Sequence, residues 1–377
     1  MERISVLMLV FFTCLVLTAW PQAQPQAKHQ IVKFNVLGAG KGAGQGTLAW
    51  GIVKGGWIQG DYIDGNGVYH GFLRDPTTRN ITKFDVPGMG KGAGQGAVAV
   101  WGMAPDREIA GGYYDANNSY HGFLRKPNGK ITTFECPGAG AGGTAALAVN
   151  EAGLISAMYL DSNAAWHGCL LNSNGTFTKY DPPDSGKGNG QGTNVASFSG
   201  INPEGAVVGE YFDSANVAHA YLRHPHGKID EFNDPKAGPD GGGTLGINAN
   251  GEIWGWYIDA HTVFHGYLRS PDGKTFTEVD APGAGTGYAQ GTNACLVGVC
   301  FGSINPSGAV TGWYVDSHNV YHGFVRTPGG KITEFDVPGA GTGAWQGTQA
   351  TAINPEGEIT GHYTDARGVY HGFLWMP

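Results

Sequence analysis

Apolar and polar positions alternate along most of this chain in short runs bounded by turn-forming residues. "EITGHYTD" (358–365) and "YHGFLW" (370–375) are examples, and alternation with period two predicts strands. Between the runs stand "NPEG", "NANG", "KPNG", "SPDG" and "TPGG", combinations that favour tight reversals. Four strands can be placed per cycle. Strand A is a small-residue run ending in "AIN" or "GIN", strand B resembles "EITGHYTD", strand C is "YHGFLR", and strand D is "KITEFDVP". A glycine-rich crossing, "GAGKGAGQGT" in its fullest form, leads to the next strand A.

The cycle repeats through the chain. Histidines that open strand C (His70, His121, His167, His219, His265, His322 and His371) lie 46 to 57 residues apart. Four-stranded propeller blades have periods of about 40–50 residues. The D strands begin at Ile31, Ile81, Ile131, Phe177, Ile229, Phe276 and Ile332, so the first D strand precedes any A–B–C set and the last set lacks one. A closed ring resolves that offset and leaves no exposed sheet edge. The expectation is an all-β, seven-bladed β-propeller with four antiparallel strands per blade, in which the N-terminal strand completes the last blade. One domain spans 28–377.

The offset of the strands resembles that of WD40 propellers, although no Trp-Asp dipeptide is present. The local signature, "AINPEG" followed by glycine and "HGF", resembles the HAF-type extracellular repeats of bacterial secreted proteins. "HAY" at His219 is the nearest copy, and most units carry Gly where that family has Ala. The resemblance covers nearly all of 28–377. It implies a secreted propeller and implies no reaction.

Composition narrows the class. Charged residues are 14% of the chain, against a usual quarter, and the 65 glycines cluster at regular intervals. Net charge is −8 with no basic patch, so nucleic acid is not an expected partner. Arg3 precedes an apolar run from Ile4 to Trp20, and a Pro/Gln/Ala segment follows. Residues 1–27 read as a signal peptide cleaved between Ala23 and Ala27, the rival being an uncleaved anchor at the short edge for spanning. The mature protein is expected to be secreted or periplasmic, with no membrane span, and monomeric. In an oxidising compartment Cys295 and Cys300, which flank a short insertion, are expected to pair. Cys136 and Cys169 replace a valine and a phenylalanine of their repeats and are expected to be free core thiols.

The recurring histidine belongs to a longer motif, Tyr-x-Asp followed five residues later by His. Its pairs are Asp64/His70, Asp115/His121, Asp161/His167, Asp213/His219, Asp259/His265, Asp316/His322 and Asp365/His371. Asp ends strand B and His opens strand C. Asp can accept amide hydrogens of the connection and orient the imidazole, a structural role. One Asp and one His are too few ligands for an ordinary zinc site, so no metal is expected. Gly138, Gly140 and Gly143 fit a dinucleotide fingerprint by spacing, but no strand–helix context follows, and no cofactor is expected.

Repeats carry the scaffold, so function is sought where the units differ. The residue before the recurring Tyr on strand B varies: Asp61, Gly112, Met158, Glu210, Trp256, Trp313 and His362. Charged groups there predict a partly solvated register near the face that carries the crossings. Glu210, Trp256, Trp313, His362 and Asp61 fall on five successive blades of a closed ring, and they form the candidate ligand-binding arc. Trp50, Trp101, Tyr288 and Trp345 would widen it. The first functional reading is a binding module for an extracellular glycan or protein. The alternative is a polysaccharide hydrolase or lyase with Glu210, Asp61 or His362 as acid and base. No nucleophile elbow, HExxH or convincing calcium loop is present.

Overall fold

The computed structural model describes residues 29–293 and 301–377. The expected signal peptide and the expected Cys295–Cys300 pair lie outside the described residues. Among the described residues every regular element is a strand, and no helix is long and apolar enough to cross a membrane.

The first unit shows how the alternating runs are used. Gly46–Ile52 (strand A) pairs antiparallel with Ile58–Ile63 (B), B with Tyr69–Arg74 (C), and C with Ile81–Phe84 (D). The same antiparallel order recurs along the chain. In the last unit the D position is filled from the other end of the chain. Gln30–Phe34 pairs antiparallel with Tyr370–Met376, placing Ile31 opposite Trp375.

Neighbouring units meet through their A strands, which therefore lie innermost. Ser199 bridges Gly246, the Thr351 hydroxyl donates to the Ala49 carbonyl at 3.3 Å, and the Ile353 amide donates to Ser303 Oγ at 2.8 Å. At six junctions strand C also runs briefly parallel to the next strand A, as Tyr370 does to Gly46 and Tyr69 to Gly96. This contact explains the glycine of "QGT". Gly46 has φ +128°, and a Cβ there would lie 2.1 Å from the Tyr370 carbonyl oxygen. The crossings and the B–C connections leave from one end of each unit. The Ala39–Asp64 bridge and the bond from the Gly40 amide to the Ile63 carbonyl tie them together, and this end is called the upper face.

The core follows the fourth residue of strand C. Phe72, Phe123, Phe324 and Phe373 are wholly buried, with Tyr221 and Tyr267 in two other units. Cys169 stands at that position in unit 3, and it is bonded to Cys136 at a Cα separation of 6.3 Å. The expectation of free thiols is thereby corrected. Cys136 follows strand D of unit 2, and that segment packs against strand C of unit 3. Two positions that look apolar within their own repeats are neighbours across the junction.

Candidate functional site

The Tyr-x-Asp…His motif forms a stacked, doubly anchored turn. Asp64 Oδ1 accepts the amides of Asn66 and Val68 at 2.8 and 2.9 Å, closing the B–C connection. His70 stacks on Tyr62 with ring centroids 4.8 Å apart, and its Nε2 lies 3.7 Å from Asp64 Oδ2. The other pairs repeat this: His121 lies 3.4 Å from Asp115, His167 3.5 Å from Asp161, His219 3.3 Å from Asp213, His265 3.6 Å from Asp259, His322 3.5 Å from Asp316, and His371 3.3 Å from Asp365.

A further partner comes from the end of strand D. Nδ1 of each histidine reaches Asp85, Glu135, Asp181, Asn233, Asp280, Asp336 or Asn35 at 2.5–3.0 Å. Sequence reasoning overlooked these residues, although the recurring "FDVP" ending signals them. The bond to Asp280 raises the His265 pKa, and Asp336 does the same for His322. Among the described residues no group of three or more His, Cys, Asp or Glu side chains converges as metal ligands. Asp316→Ala should cost about 1–3 kcal/mol by orphaning the amides of His318 and Val320, and Asp115→Ala a similar amount. Urea unfolding of both variants checks this, and a neutral effect in either would remove the structural role there.

The variable register of strand B is buried, contrary to the expected partial solvation. Asp61 is 0% exposed, Trp313 3%, His362 4%, Trp256 6% and Glu210 7%. For Asp61 and His362 the physical reason lies on strand A, where an extra bulged residue bends inward and covers them. Trp50 is that residue in unit 1, between Ala49 and Gly51. Its indole donates to Asp61 Oδ1 and meets His362 edge-on at 4.9 Å. Phe301 packs on Trp50, Trp101, Phe198 and Trp313 at centroid distances of 4.9–5.9 Å. Four aromatics from units 1, 2, 4 and 6, Trp50 and Trp101 on strand A and Phe198 and Phe301 in the irregular segments of the A position, thus meet in the middle of the molecule. The irregular runs "ASFSGIN" and "CFGSIN" were the overlooked sign of Phe198 and Phe301.

The candidate arc therefore divides. Asp61, His362 and Trp313 join one cluster through Trp50 and Phe301. Glu210 and Trp256 form a separate contact, with the Asn194 amide donating to Glu210 Oε1 at 3.0 Å. Burial holds the Asp61 carboxyl well above the usual carboxylate range, and pushes His362 down to about 4. Burial also raises Glu210 to about 7, against the opposing bond from Asn194. A carboxyl whose folded pKa is raised favours the protonated folded state. Glu210's contribution to stability is therefore greatest below about pH 4.5, falls up to about pH 7, and is flat above. Glu210→Gln should raise stability at pH 8 by an amount on the order of 3 kcal/mol, with the gain vanishing near pH 4. Melting curves across this range test the sign, and an unchanged profile would show Glu210 to be solvated.

Nearer the upper face lies a second aromatic series that opens strand C: Tyr69, Tyr120, Trp166, Phe264, Tyr321 and Tyr370. All but Phe264 are half-buried. Burial pushes the Tyr69 phenol up to about 12, with Asp61 and Tyr370 adding to the shift. Tyr321 is likewise pushed up to about 12 by burial and by Tyr370, and Tyr120 is raised by burial, Tyr114 and Asp61. Tyr321, Tyr370, Tyr69 and Tyr120 share this register in units 6, 7, 1 and 2 and are called the tyrosine tract; Tyr321 meets Trp313 edge-on at 6.5 Å and Tyr370 meets His362 edge-on at 5.8 Å. Repetition beside the histidine concealed these tyrosines as part of the scaffold. Tyr288 and Trp345, on two crossings, are 82% and 42% exposed.

This arrangement, four-stranded antiparallel units meeting at their inner strands, defines a β-propeller protein. Two solved structures agree. The β-propeller domain of the Trilobed protease from Pyrococcus furiosus, which has an open velcro topology, matches with a TM-score of 0.56 at 9% identity, over 87% of this chain and 95% of that one. A prolyl endopeptidase matches with a TM-score of 0.51 at 12% identity, over 84% of this chain and 46% of that one. The BP39L lectin from Burkholderia pseudomallei has a TM-score of 0.46 at 10% identity, over 74% of this chain and 79% of that one. At these identities the likeness concerns the fold alone. No protein-family model and no curated protein matches the chain.

Proposed function

We propose that this protein is a secreted binding module, a single-domain propeller of seven blades, that holds an extracellular glycan on its upper face. The observation that carries this reading is the tract of half-buried tyrosines beside the exposed Trp345. Aromatic faces stack on the apolar faces of sugar rings, and phenol groups exchange hydrogen bonds with sugar hydroxyls. The buried residues Trp313, His362 and Asp61 form the floor of the site, with Trp313 against Tyr321 and His362 against Tyr370, while Glu210 and Trp256 extend the buried register into units 4 and 5. Ring closure is supported by the pairing of Gln30–Phe34 with Tyr370–Met376 and by the Tyr370–Gly46 contact. Export is supported by the apolar N-terminal run after Arg3 and by the Cys136–Cys169 bond, since disulfides persist in oxidising compartments. The HAF-type resemblance of the repeat points the same way.

The test is a screen of the mature protein against a polysaccharide panel, scoring retention and released product together. Retention without product is expected. Product release that is lost in Glu210→Gln would instead support a hydrolase or lyase, whose buried acids Glu210 and Asp61 would need the floor to open. Failure of every polysaccharide to retain the protein would overturn the glycan reading and leave a protein ligand as the next candidate.

A further inference from the structure

We propose that Trp345, with Tyr321 beside it, is a stacking platform for the apolar face of a pyranose ring at the crossing from unit 6 to unit 7. The inference rests on the glycan-binding reading and gives it a place. Trp345 has φ +63°, in the left-handed region that disfavours bulky L side chains. Equivalent positions in three other crossings are Gly44, Gly94 and Gly190, with φ +73°, +80° and +77°. A fourth is Ala289 at +57°.

The backbone of the Trp345 crossing is the ordinary one. Its amide donates to the Asn319 carbonyl at 2.7 Å, as the Gly44 amide does to Gly368 at 2.8 Å and Gly94 to Gly67 at 2.9 Å. Nothing in this connection calls for a large side chain. A Cβ added at Gly44, Gly94 or Gly190 would meet no atom within 4 Å, so the position opens to solvent. Trp345 therefore carries a conformational cost that packing at the equivalent positions does not explain, and such costs concentrate at functional sites.

The surroundings supply what a sugar needs. The Trp345 ring lies 5.9 Å from that of Tyr321 at an interplanar angle of 53°, and it remains 42% exposed. Tyr321 meets Trp313 edge-on at 6.5 Å, and Trp313 is only 3% exposed, which fixes the platform to the rigid interior. The Tyr321 phenol places a hydroxyl group beside the indole. An indole with an open face beside a phenol suits a pyranose, whose C–H face stacks while a rim hydroxyl finds a partner.

Stability and binding should move in opposite directions when the side chain is removed. In Trp345→Gly the strain is relieved, so Tm should rise by about 1–3 °C. Retention on whichever polysaccharide holds the wild type should weaken by about 5- to 100-fold, a range taken from aromatic stacking on nucleic-acid bases. Trp345→Phe should recover part of the binding, and Tyr288→Ala, one crossing away, should alter neither quantity. A fall in Tm for Trp345→Gly would make Trp345 a packing residue and overturn the inference. Unchanged retention in Trp345→Gly would overturn it while leaving the glycan reading in place, as would an equal loss in Tyr288→Ala. A wild type held by no polysaccharide would overturn both.

Discussion

A chain that begins at Gly46 should aggregate, or should melt more than about 10 °C below the mature protein. The deletion removes the outer strand of the last unit and with it the antiparallel partner of Tyr370–Met376. Leu374 and Trp375, now 7% and 3% exposed, would lie on a bare edge whose amides and carbonyls seek another chain. The loss extends into unit 1. Phe34 meets Phe72 edge-on at 6.1 Å and carries the Arg74 guanidinium 5.1 Å from its ring centre. Val36, 3% exposed, donates its amide to Thr47 Oγ1. Exposing several such side chains costs about 1.5–3 kcal/mol each, a sum comparable with the whole stability of an ordinary domain. Thermal melting and size-exclusion chromatography of the two chains decide the matter, and identical behaviour would refute ring closure.

Reduction of the Cys136–Cys169 bond should lower stability by about 3–4 kcal/mol, because the bond closes a loop across a sequence separation of 33. It ties the end of unit 2 to the third strand of unit 3, so its loss should loosen the junction between them. Both sulfurs lie in a buried cluster with Ala157 and Tyr159, and reduction is expected to need partial opening. Urea unfolding of the oxidised and reduced protein measures the difference. Cys169→Ala should behave like the reduced form with an added cavity cost. Equal unfolding midpoints with and without reductant would show that the bridge contributes nothing.

Much of the scaffold was legible in the chain because its determinants are local. Strands beginning at Tyr69, Tyr120 and Tyr321 follow from alternation, and the turns between strands follow from their Asn, Pro and Gly. Asp64 and His70 are brought together by one hairpin, so their spacing alone suggests the contact. The offset of the first and last strands pointed to the pairing of Ile31 with Trp375.

The site was less legible because it is built from contacts across units. Asp61 and His362 look like candidates for a solvated register when each strand B is considered alone. Their burial depends on Trp50, whose inward course is set by one extra residue in strand A. Cys136 and Cys169 each look like a simple apolar replacement until two units are packed together. Tyr69, Tyr321 and Tyr370 look like repeated scaffold until their half-burial beside one another is seen. Trp345 could be identified as an aromatic in a glycine-rich crossing, but its left-handed backbone and open face belong to the folded loop. Residues within one hairpin meet through backbone geometry that their own sequence specifies. Residues on neighbouring units meet only after every strand has taken its twist, bulge and place in the packing, and those are properties of the whole molecule.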